Sequence, residues 1–215
     1  MEKYIDTDLC KECGGVCCQQ NGCIFLPQDF EKMTFNYLKN EIDKGYISIA
    51  GQPFNGFYNN GWSFLLYLRA RNCDAPIVDL ITSGGPCSLL TDTGCKLDEE
   101  HRPTLGLLVK PTKVGGPCEK MFPQEALMSW INYNDVLCQL IKHYTKKDVV
   151  DIIIEQTKEK NRSINNKRAL RIELKAMEEH LYYYLSIMNN NPYYKSKEAK
   201  RMLSPKYYSW KPKNN

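Results

Sequence analysis

The feature that most constrains this chain is a group of four cysteines within nine residues near its start. Cys10 and Cys13 are separated by two residues, and the adjacent pair Cys17 and Cys18 follows Gly14-Gly15-Val16. A C-x2-C spacing lets two thiolates turn toward one ion, and glycines let the backbone curl tightly through positive φ angles. The segment therefore predicts a thiolate metal site that organises the surrounding chain.

The compartment expected for the chain supports this interpretation. The first eight residues include acidic side chains and lack the apolar core of a signal peptide. The longest apolar runs are far shorter than the ~20 residues of a membrane helix. We therefore expect a cytoplasmic protein with no membrane association. Because disulfides are rare in a reducing cytosol, ten cysteines among 215 residues indicate metal binding or redox chemistry.

Charge and cysteine content divide the chain into two parts. Residues 1–155 hold 15 basic against 20 acidic side chains, whereas residues 156–215 hold 14 against 5. Nine of the ten cysteines precede residue 119, and Cys138 is the last. This pattern predicts a cysteine-cluster metal-binding domain over residues 1–123 and a helical, basic C-terminal region over residues 124–215.

Local patterns predict an α+β fold, in which a small irregular cysteine-rich sheet region, organised by metal, precedes C-terminal helices. Pro27 is expected to open a helix that stops at Gly45, and Asn59-Asn60-Gly61 is a turn signal. Short strands are expected over residues 46–50, 62–71, 77–81, 87–90 and 105–109.

From Pro123 onward the apolar period becomes helical. The apolar face of the first helix comprises Leu127, Ile131, Leu137, Cys138 and Ile141. A second helix is expected to start at Thr145, with Asp148 three residues on. An apolar seam with spacings of 3 and 4 then runs from Leu170 to Met188. We expect these helices to pack on the body, on a second subunit or on another protein partner.

The cysteine spacing carries a resemblance to a known family. Cys10-x2-Cys13-x3-Cys17-Cys18 resembles the signature of the YkgJ-type cysteine-cluster family, a zinc- or iron-chelating CxxCxxxCC domain. Cys23 to Met33 resembles the family's apolar run and its helix opening. The pair of segments Cys87-Ser88-Leu89-Leu90 and Gly94-Cys95 resembles its cysteine hairpin. Arg102-Pro103 and Cys118-Glu119-Lys120-Met121-Phe122-Pro123 resemble its R-P and terminal C-R-x-F-P elements.

The match covers residues 8–123 and departs from the family at three points. The family usually places its last cysteine two residues after the R-P dipeptide, whereas residues 104–117 intervene here. Glu119 replaces the usual basic residue, and Cys23 and Cys73 are additional to the pattern.

The resemblance implies a set of thiolate ligands. The implied ligands are Cys10, Cys13, Cys17, Cys18, Cys87, Cys95 and Cys118. Seven is one short of two complete four-thiolate sites, so either a further cysteine or an exchangeable water or substrate fills the last position. Cys23 is the nearest candidate for the eighth ligand, and Cys73 is the next. All-thiolate sites suit zinc and iron–sulfur clusters alike, so both metals stay open.

The adjacent pair and the glycine turns give the site its expected geometry. Neighbouring side chains of an extended segment point in opposite directions, so Cys17 and Cys18 are expected to serve different metal atoms. Two Gly-Gly-Pro-Cys turns, at residues 84–87 and 115–118, are expected to present a cysteine and nearby N–H groups to a metal centre. Cys138 fits a cysteine on the core face of a helix.

Two other classes of function stay open. No nucleophile motif, P-loop or H-E-x-x-H motif is present. Similar cysteine clusters occur within flagellin lysine-N-methylase-like proteins, so a protein-modifying enzyme is one alternative. The other alternative rests on residues 156–215, where seven tyrosines and Trp210 accompany the basic side chains. Basic groups neutralise phosphates and aromatic rings stack on bases, which would suit a nucleic-acid or protein binding module.

Overall fold

The described residues contain both helices and short strands in separate runs, which confirms the α+β class. The computed structural model describes residues 7–55, 62–81, 84–110, 112–115, 118–120 and 124–163. The predicted turn at residues 59–61, the seam at residues 170–188 and the basic tail that follows it lie outside the described residues. Within the described ranges, every helix is too short or too polar to cross a membrane.

The largest sheet of the described residues has three strands in the order β2-β1-β3. β1 (Ile47–Asn55) and β2 (Trp62–Ala70) pair antiparallel, with Ile47 opposite Ala70 at one end of the ladder. β3 (Val78–Asp79) adds to β1 in parallel. Every side chain from residue 65 to residue 70 is buried, which fits the nearly continuous apolar sequence of β2.

The core lies where helical segments pack on this sheet. α3 (Phe35–Asp43) and α5 (Asn134–Thr145) each turn an apolar stripe inward at spacings of three and four residues. The buried residues of these stripes are Leu38, Ile42, Leu137, Leu140 and Ile141. Trp130 is fully buried, and its Nε1–H donates a 2.9 Å hydrogen bond to the carbonyl oxygen of Phe25.

The prediction of a helix that opens at Pro27 is wrong, because the hydrogen bonds of Asp29 hold a shorter turn there. Pro27–Asp29 is a single 3-10 turn, and α3 begins only at Phe35. The Asp29 carboxylate accepts hydrogen bonds from the backbone N–H groups of Leu26 at 2.7 Å and Thr104 at 3.0 Å. The strand predicted at residues 105–109 is also wrong, because α4 (Thr104–Leu107) starts at this capped residue and precedes β6 (Val109–Lys110).

The helical character predicted after Pro123 is confirmed, but its divisions differ. A 3-10 helix (Gln124–Tyr133) leads into α5. Its three-residue period aligns Leu127 with Trp130 and leaves Ile131 47% exposed, contrary to the predicted apolar face. Thr145 does not open the next helix but closes α5, since its hydroxyl donates to the Ile141 carbonyl oxygen at 2.7 Å. α6 (Val149–Ser163) begins four residues later.

Two short hairpins complete the described fold. β4 (Leu90–Thr91) pairs with β5 (Gly94–Cys95), and β6 pairs with β7 (Glu119–Lys120). The strand predicted at residues 87–90 begins only at Leu90, because the Leu90 N–H donates to the Cys87 carbonyl oxygen and closes a turn. Cys87 instead forms an isolated antiparallel bridge with Asn72.

Candidate metal centre

The four leading cysteines lie on two short helices joined by a glycine corner. α1 (Thr7–Cys13) carries Cys10 and Cys13, and α2 (Val16–Gln20) carries Cys17 and Cys18. Gly14 and Gly15 both have φ of 66°, the left-handed conformation that side chains disfavour. Two such residues in succession end α1 at Cys13 and let α2 begin at Val16.

Gly15 lies close to the hairpin that carries Cys95. A Cβ atom at this position would stand 2.7 Å from Leu90 Cδ1, on strand β4 of that hairpin, so the Leu90 side chain would have to shift. The left-handed backbone at Gly15 is the stronger reason for a glycine. The cysteine-rich start of the chain and the Cys87–Cys95 segment are thus packed together.

The first Gly-Gly-Pro-Cys turn is fastened to the cysteine helices through the backbone. The N–H of Cys87 donates a 2.7 Å hydrogen bond to the carbonyl oxygen of Cys18. Cys87 is 5% exposed, and β5, which carries Cys95, lies against α1. The turn therefore places two implied ligands beside the first four.

The two described residues of the second Gly-Gly-Pro-Cys sequence, Gly115 and Cys118, also lie near the cysteine helices. β6 and β7 pair antiparallel with Val109 opposite Lys120, so the chain directly after Cys118 runs beside the chain directly after α4. The Gly115 N–H then donates a 3.3 Å hydrogen bond to Cys13 Sγ. Partial burial and the negative charges of Cys17, Cys10 and Cys13 raise the pKa of Cys118. The extra residues between Arg102-Pro103 and the last cysteine thus do not separate that cysteine from the others.

The adjacent pair departs from its expected geometry. Cys17 and Cys18 are helical, not extended, and their Sγ atoms are 3.9 Å apart. The hydrogen bond with Cys18 is the main cause that lowers the pKa of Cys17 to about 6. The shared hydrogen bond and burial raise the pKa of Cys18. The predicted divergence of these two side chains is wrong, so it gives no reason to assign the two thiols to different metal atoms.

Cys23 lies with the implied ligands although the family pattern does not include it. Burial, together with the negative charges of Cys17, Cys87 and Cys95, raises the pKa of the Cys23 thiol to about 12. A Cβ atom on Gly106 would stand 3.0 Å from Cys23 Sγ, so the thiol points at α4. Of the two additional cysteines, Cys23 is half-buried and Cys73 is exposed, so Cys23 stays the better candidate for the eighth ligand.

Cys73 and Cys138 lie at the edges of this arrangement. Cys73 is exposed, and its N–H donates a 2.8 Å hydrogen bond to the Pro86 carbonyl oxygen. Its thiolate charge contributes to raising the pKa of Cys87, after burial as the main cause. Cys138 packs against the hydrophobic core from α5. Neither of the two histidines in the described part of the chain adds a ligand, since the His101 ring bonds Asp98 in an exposed loop at 2.6 Å and His143 lies on the surface of α5.

A buried amide that the sequence patterns did not single out holds the cysteine segments in place. Asn72 is 3% exposed, and its Oδ1 accepts a 2.9 Å hydrogen bond from the Gly22 N–H. Its Nδ2 donates at 2.8 Å to the carbonyl oxygen of Gly84, in the first Gly-Gly-Pro-Cys turn. The only sequence signal for this role is an amide next to Cys73 at the end of an apolar strand.

A buried ion pair connects the three-stranded sheet to the residue that follows α2. Arg69 and Asp79 form a salt bridge between β2 and β3, with both side chains almost fully buried. Arg69 Nη1 also donates a 2.8 Å hydrogen bond to Asn21 Oδ1, directly after α2. The sheet core and the cysteine helices therefore share one guanidinium group.

All ten cysteines lie within the described residues, and no disulfide joins any of them. The same residues contain no group of three or more histidine, cysteine or acidic side chains already set at metal-binding geometry. The cysteines are gathered in one region, and holding an ion there requires their side chains to converge further.

No family model, curated protein or solved structure matches this chain.

Proposed function

We propose that this chain is a metal-binding cysteine-cluster protein, in which thiolates hold zinc or an iron–sulfur cluster. The observation that carries the proposal is the 3.3 Å hydrogen bond from the Gly115 N–H to Cys13 Sγ, which joins the two ends of the cysteine-rich region. The proposed ligands are Cys10, Cys13, Cys17, Cys18, Cys23, Cys87, Cys95 and Cys118. The methylase-related and nucleic-acid hypotheses stay predictions.

The chemistry of the gathered thiols supports a cation. Burial raises the pKa of Cys23, Cys87 and Cys118, and neighbouring thiolates raise each of them further. Several thiolates in one partly buried region repel one another, and a bound cation offsets that repulsion while their protons are released. Soft thiolate ligands select zinc and iron–sulfur clusters among the common metals.

The surrounding residues have the roles expected around such a centre. The Gly115 N–H already donates to a thiol sulfur, and N–H groups of this kind stabilise the negative charge of a ligating thiolate. Asn72 and Arg69 hold the ligand-bearing segments without contributing ligands themselves. When bound, the metal would supply a structural cross-link or electron-transfer chemistry.

The test is anaerobic purification of the full chain followed by metal analysis and a visible absorption spectrum. Iron with inorganic sulfide and brown absorbance would identify clusters, whereas a colourless protein with stoichiometric zinc would identify zinc sites. Cys87→Ser should lower the bound metal, and Cys138→Ser is the matched control that should keep it. A protein that holds neither metal and whose ten thiols all titrate freely would refute the proposal.

A further inference from the structure

The sulfurs of Cys17 and Cys18 have the separation of two ligands on one metal atom. Their Sγ atoms are 3.9 Å apart, and two thiolates on one tetrahedral ion with bonds of about 2.3 Å stand about 3.8 Å apart. We infer that Cys17 and Cys18 form a two-thiolate chelate for a single metal atom, which is a zinc ion or one iron of a two-iron cluster. This inference rests on the proposed metal-binding function, and it replaces the prediction that the two cysteines serve different metal atoms.

Helix geometry alone does not bring these two sulfurs together. Successive residues of an α-helix are about 100° apart around its axis, so adjacent side chains do not face each other. Both thiol groups of α2 must therefore turn toward a common side to reach 3.9 Å. Neither thiol is in a disulfide, and the separation is about twice the length of an S–S bond. The pair has the geometry of an open chelate.

The main chain around the pair is fixed on both sides. The carbonyl oxygen of Cys17 accepts the Asn21 N–H at 3.2 Å, and that of Cys18 accepts the Cys87 N–H at 2.7 Å. The Asn21 side chain is held in turn by the buried Arg69, whose Nη1 donates to Asn21 Oδ1 at 2.8 Å. Because these bonds set the backbone of both cysteines, little conformational freedom is left to lose when a metal atom binds.

The short separation also discriminates among thiolate centres. When four cysteines hold a four-iron cluster, each iron carries one of the thiolates, so no two cysteine sulfurs share a metal atom. In a two-iron cluster four thiolates are divided between two irons, and a zinc ion gathers all four of its thiolates. The Cys17–Cys18 pair therefore favours zinc or a two-iron cluster over a four-iron cluster.

A metal ion can reach this pair from solvent. Cys17 is exposed and Cys18 is half-buried, and α2 buries none of its side chains. In the metal-free chain the two thiols share a hydrogen bond. A divalent cation that binds both sulfurs takes the place of that bond and releases two protons.

The experiment is a proton–cadmium correlation spectrum of the full-length chain, loaded with an NMR-active isotope of cadmium under anaerobic, reducing conditions. Cadmium couples to the β-protons of every cysteine that ligates it. The β-protons of Cys17 and Cys18 should correlate with the same cadmium resonance. Two different resonances, or no correlation for either residue while other cysteines show theirs, would overturn the chelate and leave the proposed function standing. A chain that binds no cadmium, and holds neither zinc nor iron as purified, would overturn both.

Substitution tests the pair with the metal that the chain holds as purified. Cys17→Ser, Cys18→Ser and the double variant should each lose the same amount of metal per chain, because one metal atom needs both thiolates. Cys73→Ser removes an exposed thiol outside the proposed ligands and is the control that should keep the metal. Circular dichroism checks that each variant is folded. Additive losses from the two single variants, or the spectrum of a four-iron cluster in the unaltered protein, would contradict the chelate.

Discussion

The backbone N–H of Cys87 donates a 2.7 Å hydrogen bond to the carbonyl oxygen of Cys18. Because this bond joins main-chain atoms, it fixes the two cysteine backbones relative to each other independently of what their thiols bind. Asn72, which forms a β-bridge with Cys87 and bonds the N–H of Gly22, extends the same connection to both sides. The alignment of the cysteine segments is therefore built into the fold.

Replacing Asn72 tests this connection. In Asn72→Ala the N–H of Gly22 and the carbonyl oxygen of Gly84 lose their buried partner, which should cost about 1–3 kcal/mol in the free energy of unfolding. The metal content should fall as well, because both cysteine segments lose their common anchor. Urea denaturation and metal analysis measure the two effects. Asn40→Ala, at an exposed position of α3, is the control that should change neither.

Gly22 tests the close approach of the cysteine segment to the sheet. A Cβ atom there would stand 2.0 Å from the Ala70 carbonyl oxygen, and the obstacle is backbone that cannot rotate away. Gly22→Ala should destabilise the protein by more than about 4 kcal/mol or prevent folding. Expression level and the urea midpoint report this.

Gly45→Ala is the matched control for that substitution. Gly45 has φ of 91°, but among the described residues no atom lies within 4 Å of the position that a Cβ atom would take there. Its substitution should cost only the left-handed backbone penalty of about 1–2 kcal/mol. Equal effects of the two substitutions would show that contact with Ala70 is unimportant.

Local sequence is sufficient to predict some elements and not others. The long apolar run around Leu65-Leu66 identifies β2, and the glycines before Val16 identify a tight corner, because both signals act between near neighbours. The helices α1 and α2 are not predicted, since a segment of cysteines and glycines carries no apolar period. The gathering of the ligand cysteines is implied only by the family resemblance.

The remaining errors come from contacts that are distant in sequence. The Asp29 carboxylate accepts a hydrogen bond from the Thr104 N–H, 75 residues away in sequence. This contact explains why neither the helix predicted at Pro27 nor the strand predicted at residues 105–109 forms. Asn72 reaches Gly22 across 50 residues. No local pattern reveals such a partner, because the amino-acid type alone does not show whether a polar side chain is buried or solvated.

The buried ion pair predicts a strong asymmetry between its single and double replacements. Asp79→Ala removes the carboxylate that Arg69 pairs with in a buried position, which should cost about 3–5 kcal/mol in unfolding free energy. The double variant Arg69→Met/Asp79→Leu removes both charges and should recover most of that stability. Urea denaturation gives both values.

A surface pair provides the control for this comparison. Lys147 and Glu155 form an ion pair in which both side chains are exposed. Glu155→Ala should therefore change the unfolding free energy by less than about 1 kcal/mol. If Arg69→Met/Asp79→Leu is as unstable as Asp79→Ala, the lost stability of Asp79→Ala is due to packing and not to an unpaired charge.

Removing the metal should affect the cysteine helices far more than the sheet. α1 and α2 have seven and five residues, too few for a helix to be stable alone, and α2 buries no side chain. After chelation under reducing conditions, amide hydrogens of residues 7–20 should exchange rapidly, measured by mass spectrometry. Amides of β2 and α5 should stay protected because apolar contacts hold them. The boundary should fall at Gly22, whose N–H is bonded to Asn72. Protection of residues 7–20 that is identical with and without metal would show that the cysteine helices are held by packing alone.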